Sequence, residues 1–225
     1  MGLMVPARAR IERYVVATVP VLVGQVRRLL GAGGLCVLPT ESFYGLAAAP
    51  FDKQALARLW QVKDRSEGKP ILLLIGDQSQ LAPLVQTIPP AATVLMNAFW
   101  PGPLTIVFPA AVALPDAVTA GTGSVGIRLS ACQPLVDLLR QVGPVTGTSA
   151  NREGLPPPIR AEDVQANLGE EVDLIVDAGP TPGGRPSTVV DVRGLIRIIR
   201  EGAIERGVIA KQLAAHGLHL ETESR

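Results

Sequence analysis

Short apolar runs rich in Val, Ile and Leu recur along the chain, around residues 35–38, 71–75, 104–108, 125–129, 145–148, 173–177, 188–192 and 196–199. Runs this short, bounded by turn formers, predict buried strands. Between several of them lie helical patterns, at 53–63, 78–86, 91–99, 133–142, 161–168 and 205–215. Upstream, the pattern predicts a strand near Tyr14 to Ala17, then a helix from Pro20 to Leu30 that Gly31 stops. Strands alternating with helices define an α/β domain with a mixed sheet. The last strands are separated by Gly179, Gly183, Gly184 and Gly194, so part of that sheet is expected to be antiparallel.

Composition narrows the picture. A chain of 225 residues with 47% hydrophobic and 18% charged residues can bury a sizeable core, which excludes global disorder. The length suits one large domain better than two small ones. A formal net charge of +1 argues against nucleic-acid binding driven by overall charge, though not against a local basic cleft. Cys36 and Cys132 lie far apart and read as two small apolar residues in a reduced, cytoplasmic protein. His216 and His219 sit in a polar tail, which offers neither a zinc site nor a histidine-dependent triad. Arg8, Arg10 and Arg13 ahead of Tyr14 to Val23 imitate a signal peptide, but Glu12 and Pro20 interrupt the run. It is also too short to span a bilayer, so no membrane association is expected.

Five polar elements stand out where apolar runs meet turns. The first is Leu38-Pro39-Thr40-Glu41-Ser42-Phe43-Tyr44-Gly45-Leu46, a strand delivering hydroxyls, a carboxylate and a phenol into a loop. The second is Lys63-Asp64-Arg65, with Lys69 just beyond. Helix 53–63 has Asp52 as its N-cap, and Lys63 falls on the stripe of Leu56, Leu59 and Trp60, where a lysine must snorkel outward or meet an anion. A solvated face is the ordinary reading of such a charge run, and Asp64 and Glu67 offset it in part. The third, Trp100-Pro101-Gly102-Pro103-Leu104-Thr105, reads as packing. The fourth and fifth, Ser149-Ala150-Asn151 and Pro186-Ser187-Thr188-Val189, are ordinary turn chemistry taken singly.

Gly121-Thr122-Gly123-Ser124-Val125-Gly126 matches GxGxxG, but a strand follows where a dinucleotide fold needs a helix, so the Rossmann reading fails. Arg128 lies in that strand among apolar neighbours. It either faces the surface or answers a carboxylate or phosphate.

In this order, the five elements resemble the YrdC-like family of threonylcarbamoyl-AMP synthases in its short, single-domain form. The resemblance implies an N-terminal extension (1–13), a catalytic domain (14–207) and a C-terminal helix and tail (208–225). It implies a twisted mixed sheet with surrounding helices forming a deep basic cleft. The activity would condense L-threonine, bicarbonate or CO2, and ATP into threonylcarbamoyl-AMP and pyrophosphate, as a nucleotidyltransferase. The product would pass to a threonylcarbamoyl transferase complex that modifies adenosine 37 of tRNA, with at most transient tRNA contact by this chain. Mg2+ would arrive with ATP, without a dedicated protein metal site. By motif, Lys63, Arg65 and Lys69 would face the phosphates, with Lys63 and Arg65 catalytic. Ser124, Ser149, Asn151 and Arg200 would complete the nucleotide contacts. Ser42, Arg128 and Ser187 would form the threonine pocket, which Thr40 and Tyr44 shape. The chain departs from the common pattern at Ser42 (Thr), Lys69 (often Asn) and Leu74 (His in some members). The competing readings are an RNA-binding module without catalysis and a carbamoyl-transfer domain acting on carbamoyl-AMP.

Overall fold

The computed structural model describes residues 9–15, 18–63 and 69–221. It is a mixed α/β fold with two sheets rather than the single sheet expected. The first sheet contains β1 (Arg10–Arg13), β2 (Cys36–Leu38), β3 (Gly45–Ala47), β8 (Thr148–Ser149) and β9 (Leu174–Asp177), in the order β1-β9-β2-β3-β8. The second contains β4 (Leu73–Ile75), β5 (Leu104–Pro109), β6 (Ser124–Leu129), β7 (Val145–Thr146), β10 (Thr188–Asp191) and β11 (Arg197–Arg200), in the order β11-β10-β5-β6-β4-β7. Both sheets mix parallel and antiparallel pairs, and the expected late antiparallel pair is β10 with β11.

Helices cover the sheets: α1 (Val19–Gly31), α2 (Lys53–Lys63), α3 (Pro90–Phe99), the short α4 (Asp116–Thr119), α5 (Gln133–Val142), α6 (Ala161–Leu168) and α7 (Arg206–Ala214). Asp52 caps α2 as anticipated, its Oδ1 accepting from the backbone N–H of Gln54 (2.9 Å) and Ala55 (3.1 Å). Residues 78–86 do not form a helix. A 3-10 turn covers Gln78–Leu81, and Pro83 lacks the N–H that would extend it. The first strand is β1, ahead of the expected Tyr14 to Ala17. Tyr14 and Val15 are coil, and Val16 and Ala17 lie outside the described residues. As an edge strand, β1 needs only its backbone ladder to β9, so its charged sequence hides it from a hydrophobicity reading. It falls within the segment read as an extension, and α7 runs across the expected boundary at residue 207. Among the described residues no helix is long and apolar enough to cross a membrane.

Strand alternation decides where the core ends and the cleft begins. In the first sheet both faces are apolar. Val37 and Ile175 pack toward α2 and α6, while Cys36, Leu38, Leu174 and Val176 pack toward α1 and α5. In the second sheet one face is core throughout: Leu73, Ile75, Leu104, Ile106, Phe108, Val125, Ile127 and Val190 pack against α3 and α7, while on the other face Leu74 and Val145, at its β4–β7 end, join the core of α1 and α5. The alternate positions, Leu74, Thr105, Val107, Ser124, Gly126, Arg128 and Val189, line an open cleft. Trp100 belongs to the core side, donating from Nε1 to the Leu104 carbonyl at 2.7 Å, which is the packing role its motif suggested.

The entry to β10 is clamped by the loop after β11. Ala203 N–H donates to the Pro186 carbonyl (2.8 Å), and Gly202 N–H donates to the Thr188 hydroxyl (2.9 Å). A Cβ on Gly202 would collide with the backbone of Pro186 and Ser187. Gly202→Ala is therefore expected to cost about 1–3 kcal/mol and to shift Ser187 in the cleft. Denaturant midpoints of the two proteins check this, and an unchanged midpoint would contradict the close approach.

Candidate active site

A cleft of about 800 Å³ opens on the polar face of the second sheet and reaches the loops of the first. Its volume suits a small-molecule site. One wall begins where β2 stops at Pro39. Thr40 closes the turn that follows, its Oγ1 accepting from the N–H of Ser42 (3.1 Å) and Phe43 (3.2 Å) and donating to the Phe43 carbonyl (2.7 Å). Thr40 thus spends its hydroxyl inside the turn and leaves Ser42 at the cleft. Tyr44 borders the cleft while its own hydroxyl donates away from it, to the Gly179 carbonyl at 2.7 Å. Burial, then the charge of Asp177, pushes that phenol far above its ordinary range. Its part is to fasten the turn to the end of β9.

Lys63, the last residue of α2, is only 4% exposed, and the structure gives it a third fate beyond snorkelling or meeting an anion. Its ammonium donates to the Ser149 carbonyl (2.7 Å), the Asn151 carbonyl (2.5 Å) and, more weakly, Asn151 Oδ1 (3.3 Å). These carbonyl oxygens take up donors that burial would otherwise leave costly. The same contacts shape the Ser149–Asn151 loop, and Asn151 Nδ2 completes it by donating to the Leu155 carbonyl (2.5 Å). Lys69 forms an exposed ion pair with Glu153 at 3.0 Å. Arg65 lies outside the described residues.

Arg128 does not face the surface. It is 5% exposed and answers a carboxylate from its own chain, Glu41. Its Nε donates to Glu41 Oε1 at 3.1 Å, and Nη2 is in ionic contact with the same oxygen. Nη2 nevertheless has no aligned hydrogen-bond acceptor among the described residues. Ser130 donates to Glu41 Oε2. Across the cleft, Ser187 shares a hydrogen bond with Thr105 (2.9 Å), and Arg200 Nη2 donates to the Ser187 carbonyl (2.9 Å). Burial, then the charge of Arg128, lowers the Arg200 pKa, so two guanidiniums press on one another here. An anion between them would relieve that pressure. Ser124 opens β6 and shares a hydrogen bond with Thr122 (2.7 Å). The GxGxxG stretch runs from the turn after α4 into β6, and a strand rather than a helix follows it, as expected.

Apart from Arg65, every residue singled out from the sequence lines this cleft: Thr40, Ser42, Tyr44, Lys63, Lys69, Ser124, Arg128, Ser149, Asn151, Ser187 and Arg200. The expected basicity is qualified by pairing, because Lys69, Arg128 and Arg193 each have a carboxylate partner. Sequence reasoning missed Glu41, Thr105, Ser130 and Arg193. Thr105 carried a usable signal, since the period of two puts it on the same side as Val107. Glu41 lay within a motif already in view, but its pairing with Arg128, 87 residues away, has no local signature.

Residues 28–202 match the Sua5/YciO/YrdC family model, whose description reads telomere recombination. A Mycobacterium tuberculosis protein is 37% identical over 190 residues, 84% of this chain and 88% of that one. The threonylcarbamoyl-AMP synthase of Bacillus subtilis is 36% identical over 82% of this chain and 54% of its own length. The structure of Pyrococcus abyssi Sua5 complexed with L-threonine superimposes with a TM-score of 0.82 at 30% identity, over 96% of this chain and 62% of that one. The chain belongs to the Sua5/YciO/YrdC family.

Two stability predictions follow from the geometry. Lys63→Met removes the donor to the Asn151 carbonyl and one of the two to the Ser149 carbonyl, which also accepts from the Asn151 N–H, and is expected to cost about 1–3 kcal/mol. Chemical denaturation checks it, and wild-type stability would contradict a holding role for the ammonium. For Glu41, burial raises the carboxyl pKa, but the Arg128 charge and the hydrogen bonds from Arg128 and Ser130 outweigh it and leave it lowered. A lowered folded-state value means the pair stabilises fully above the ordinary glutamate range, about pH 4–5, and loses that contribution as pH falls through the lowered value. The stability gap between wild type and Glu41→Gln should therefore close on acidification. A gap independent of pH would contradict the ionic pairing.

Proposed function

We propose that the chain is an L-threonylcarbamoyladenylate synthase, using L-threonine, bicarbonate or CO2, and MgATP. The observation that carries the reading is the convergence of dispersed cations, hydroxyls and an amide in one cleft, with Arg128, held by Glu41, beside Arg200. Support comes from relatives in B. subtilis and Coxiella burnetii that bear the synthase name and from the Sua5 complex with L-threonine.

In this reading, Arg128 takes the threonine carboxylate, Ser42 and Ser187 border the amino acid, and the triphosphate lies toward Lys63, Arg65 and Lys69. Ser124, Ser149, Asn151 and Arg200 serve the rest of the nucleotide. The threonine amine bonds to the carbon of CO2 and gives up a proton. With bicarbonate, that proton and the hydroxide of bicarbonate leave together as water. A carbamate oxygen then attacks the α-phosphorus, and the bond to the bridging oxygen breaks to release pyrophosphate. No protein nucleophile is needed. Holding the reactants in register supplies about 7–11 kcal/mol in favourable cases, and fixed cations stabilise charge moving onto the departing pyrophosphate. The activated carbamoyl group then serves a transferase acting on adenosine 37 of tRNA in the cytoplasm. The RNA-binding reading fits less well, because Lys69, Arg128 and Arg193 already have carboxylate partners.

Leu74, Val107 and Val189 supply apolar lining that a methyl group can use. Threonine and serine differ by that methyl, worth about 1–3 kcal/mol. Pyrophosphate release from MgATP should require both bicarbonate and threonine, with serine slower but detectable. Release without threonine, or equal rates with serine, would contradict the assignment.

A further inference from the structure

The mechanism leaves one buried charge at the cleft without a task. Glu41 follows Thr40 in the turn after β2, and it reaches across to the second sheet to meet Arg128 on β6. The side chains are 18% and 6% exposed, so both ions are largely withdrawn from water. Both Glu41 oxygens are engaged: Oε1 by Arg128, and Oε2 by the hydroxyl of Ser130. Ser130 is itself fixed, its Oγ accepting from the Cys132 N–H at 3.1 Å. A carboxylate anchored this way holds the guanidinium plane by its Nε edge, which fixes where the remaining donors point. Nη2 contacts the same Glu41 oxygen, so the whole Nε–Nη2 edge is held by the carboxylate while Arg128 lines the cleft.

The local charges point the same way. Arg128 and Arg200 are close enough to feel one another, and Glu41 cancels one of their two charges. One positive charge is left, which matches a single carboxylate. Without Glu41, this corner would carry two uncompensated cations and would favour more highly charged anions.

We infer that Glu41 is a positioning residue for the amino-acid substrate: it fixes the Arg128 guanidinium in the cleft wall in the orientation that receives the α-carboxylate. The inference rests on the reading of Arg128 as the carboxylate anchor. Glu41 touches neither reacting atom and acts only through Arg128.

A double-mutant cycle on the full chain tests this, with threonine binding read by calorimetry and KM measured for threonine and ATP. Glu41→Gln keeps the reach and one acceptor but removes the charge. It is expected to raise the threonine KM by about tenfold or more, with the ATP KM and kcat changed by about twofold at most. In an Arg128→Ala background the same substitution should add less than about twofold, because the group it acts through is gone. Glu41→Asp keeps the charge but shortens the reach, and it should fall between wild type and Glu41→Gln. If Glu41→Gln fails to fold, as judged by circular dichroism, Glu41→Asp carries the cycle. An equal penalty in both backgrounds would overturn the inference. So would a lower threonine KM in Glu41→Gln, which would make Glu41 a competitor for the site. If Arg128→Ala alone leaves threonine binding unchanged, the anchor reading itself fails and takes the inference with it.

Discussion

A charged residue in the middle of a strand constrains everything built around it. Arg128 lies on β6 between core residues Ile127 and Leu129, and an unpaired guanidinium there would be costly to bury. Its partner, Glu41, comes from the turn at the end of a strand in the other sheet. Removing one member of such a buried pair costs about 3–5 kcal/mol, so the turn is held against β6. That contact ties the wall carrying Ser42 to the polar face of the second sheet, and the cleft lies alongside it.

The remaining polar groups show a division of labour. Lys63 and Tyr44 line the cleft, yet both use their donors on the scaffold: Lys63 shapes the Ser149–Asn151 loop, and Tyr44 pins the turn to β9. The clamp around Thr188 does the same for Ser187. The groups left to answer a ligand are fewer than the lining residues, and Arg128, fixed by Glu41 in the cleft wall, is the clearest of them. A substitution at Lys63 therefore perturbs the site even where it removes no ligand contact, and loss of binding alone does not prove direct contact. Stability measurements alongside binding separate the two effects.

Much of the architecture was legible because apolar runs mark strands and Gly and Pro mark their ends. The division into two sheets was not, since alternation says which face a residue joins but not which ladder. β3 escaped notice because Gly45–Ala47 is very short and continues a polar motif. The expected strand at 145–148 divides into β7 and β8 at Gly147, where a Cβ would collide with Leu74 and Leu72. The site was legible as a set of residue types at motif positions, and ten of them were brought together with Arg128 as the ordered motifs implied. Their partners were not. Whether a lysine meets a phosphate or a carbonyl, and whether an arginine meets a substrate or Glu41, depends on contacts made across tens of residues.

The family relationship, the cleft and the pairing of its charges support one account: a rigid site in which a fixed arginine holds an amino acid beside a nucleotide. A crystal structure with L-threonine and a non-hydrolysable ATP analogue tests it most directly. The account predicts the threonine carboxylate on Arg128 with the Glu41 contact intact, and the triphosphate toward Lys63 and Lys69. Threonine bound away from Arg128, or Glu41 displaced to make room for it, would contradict it.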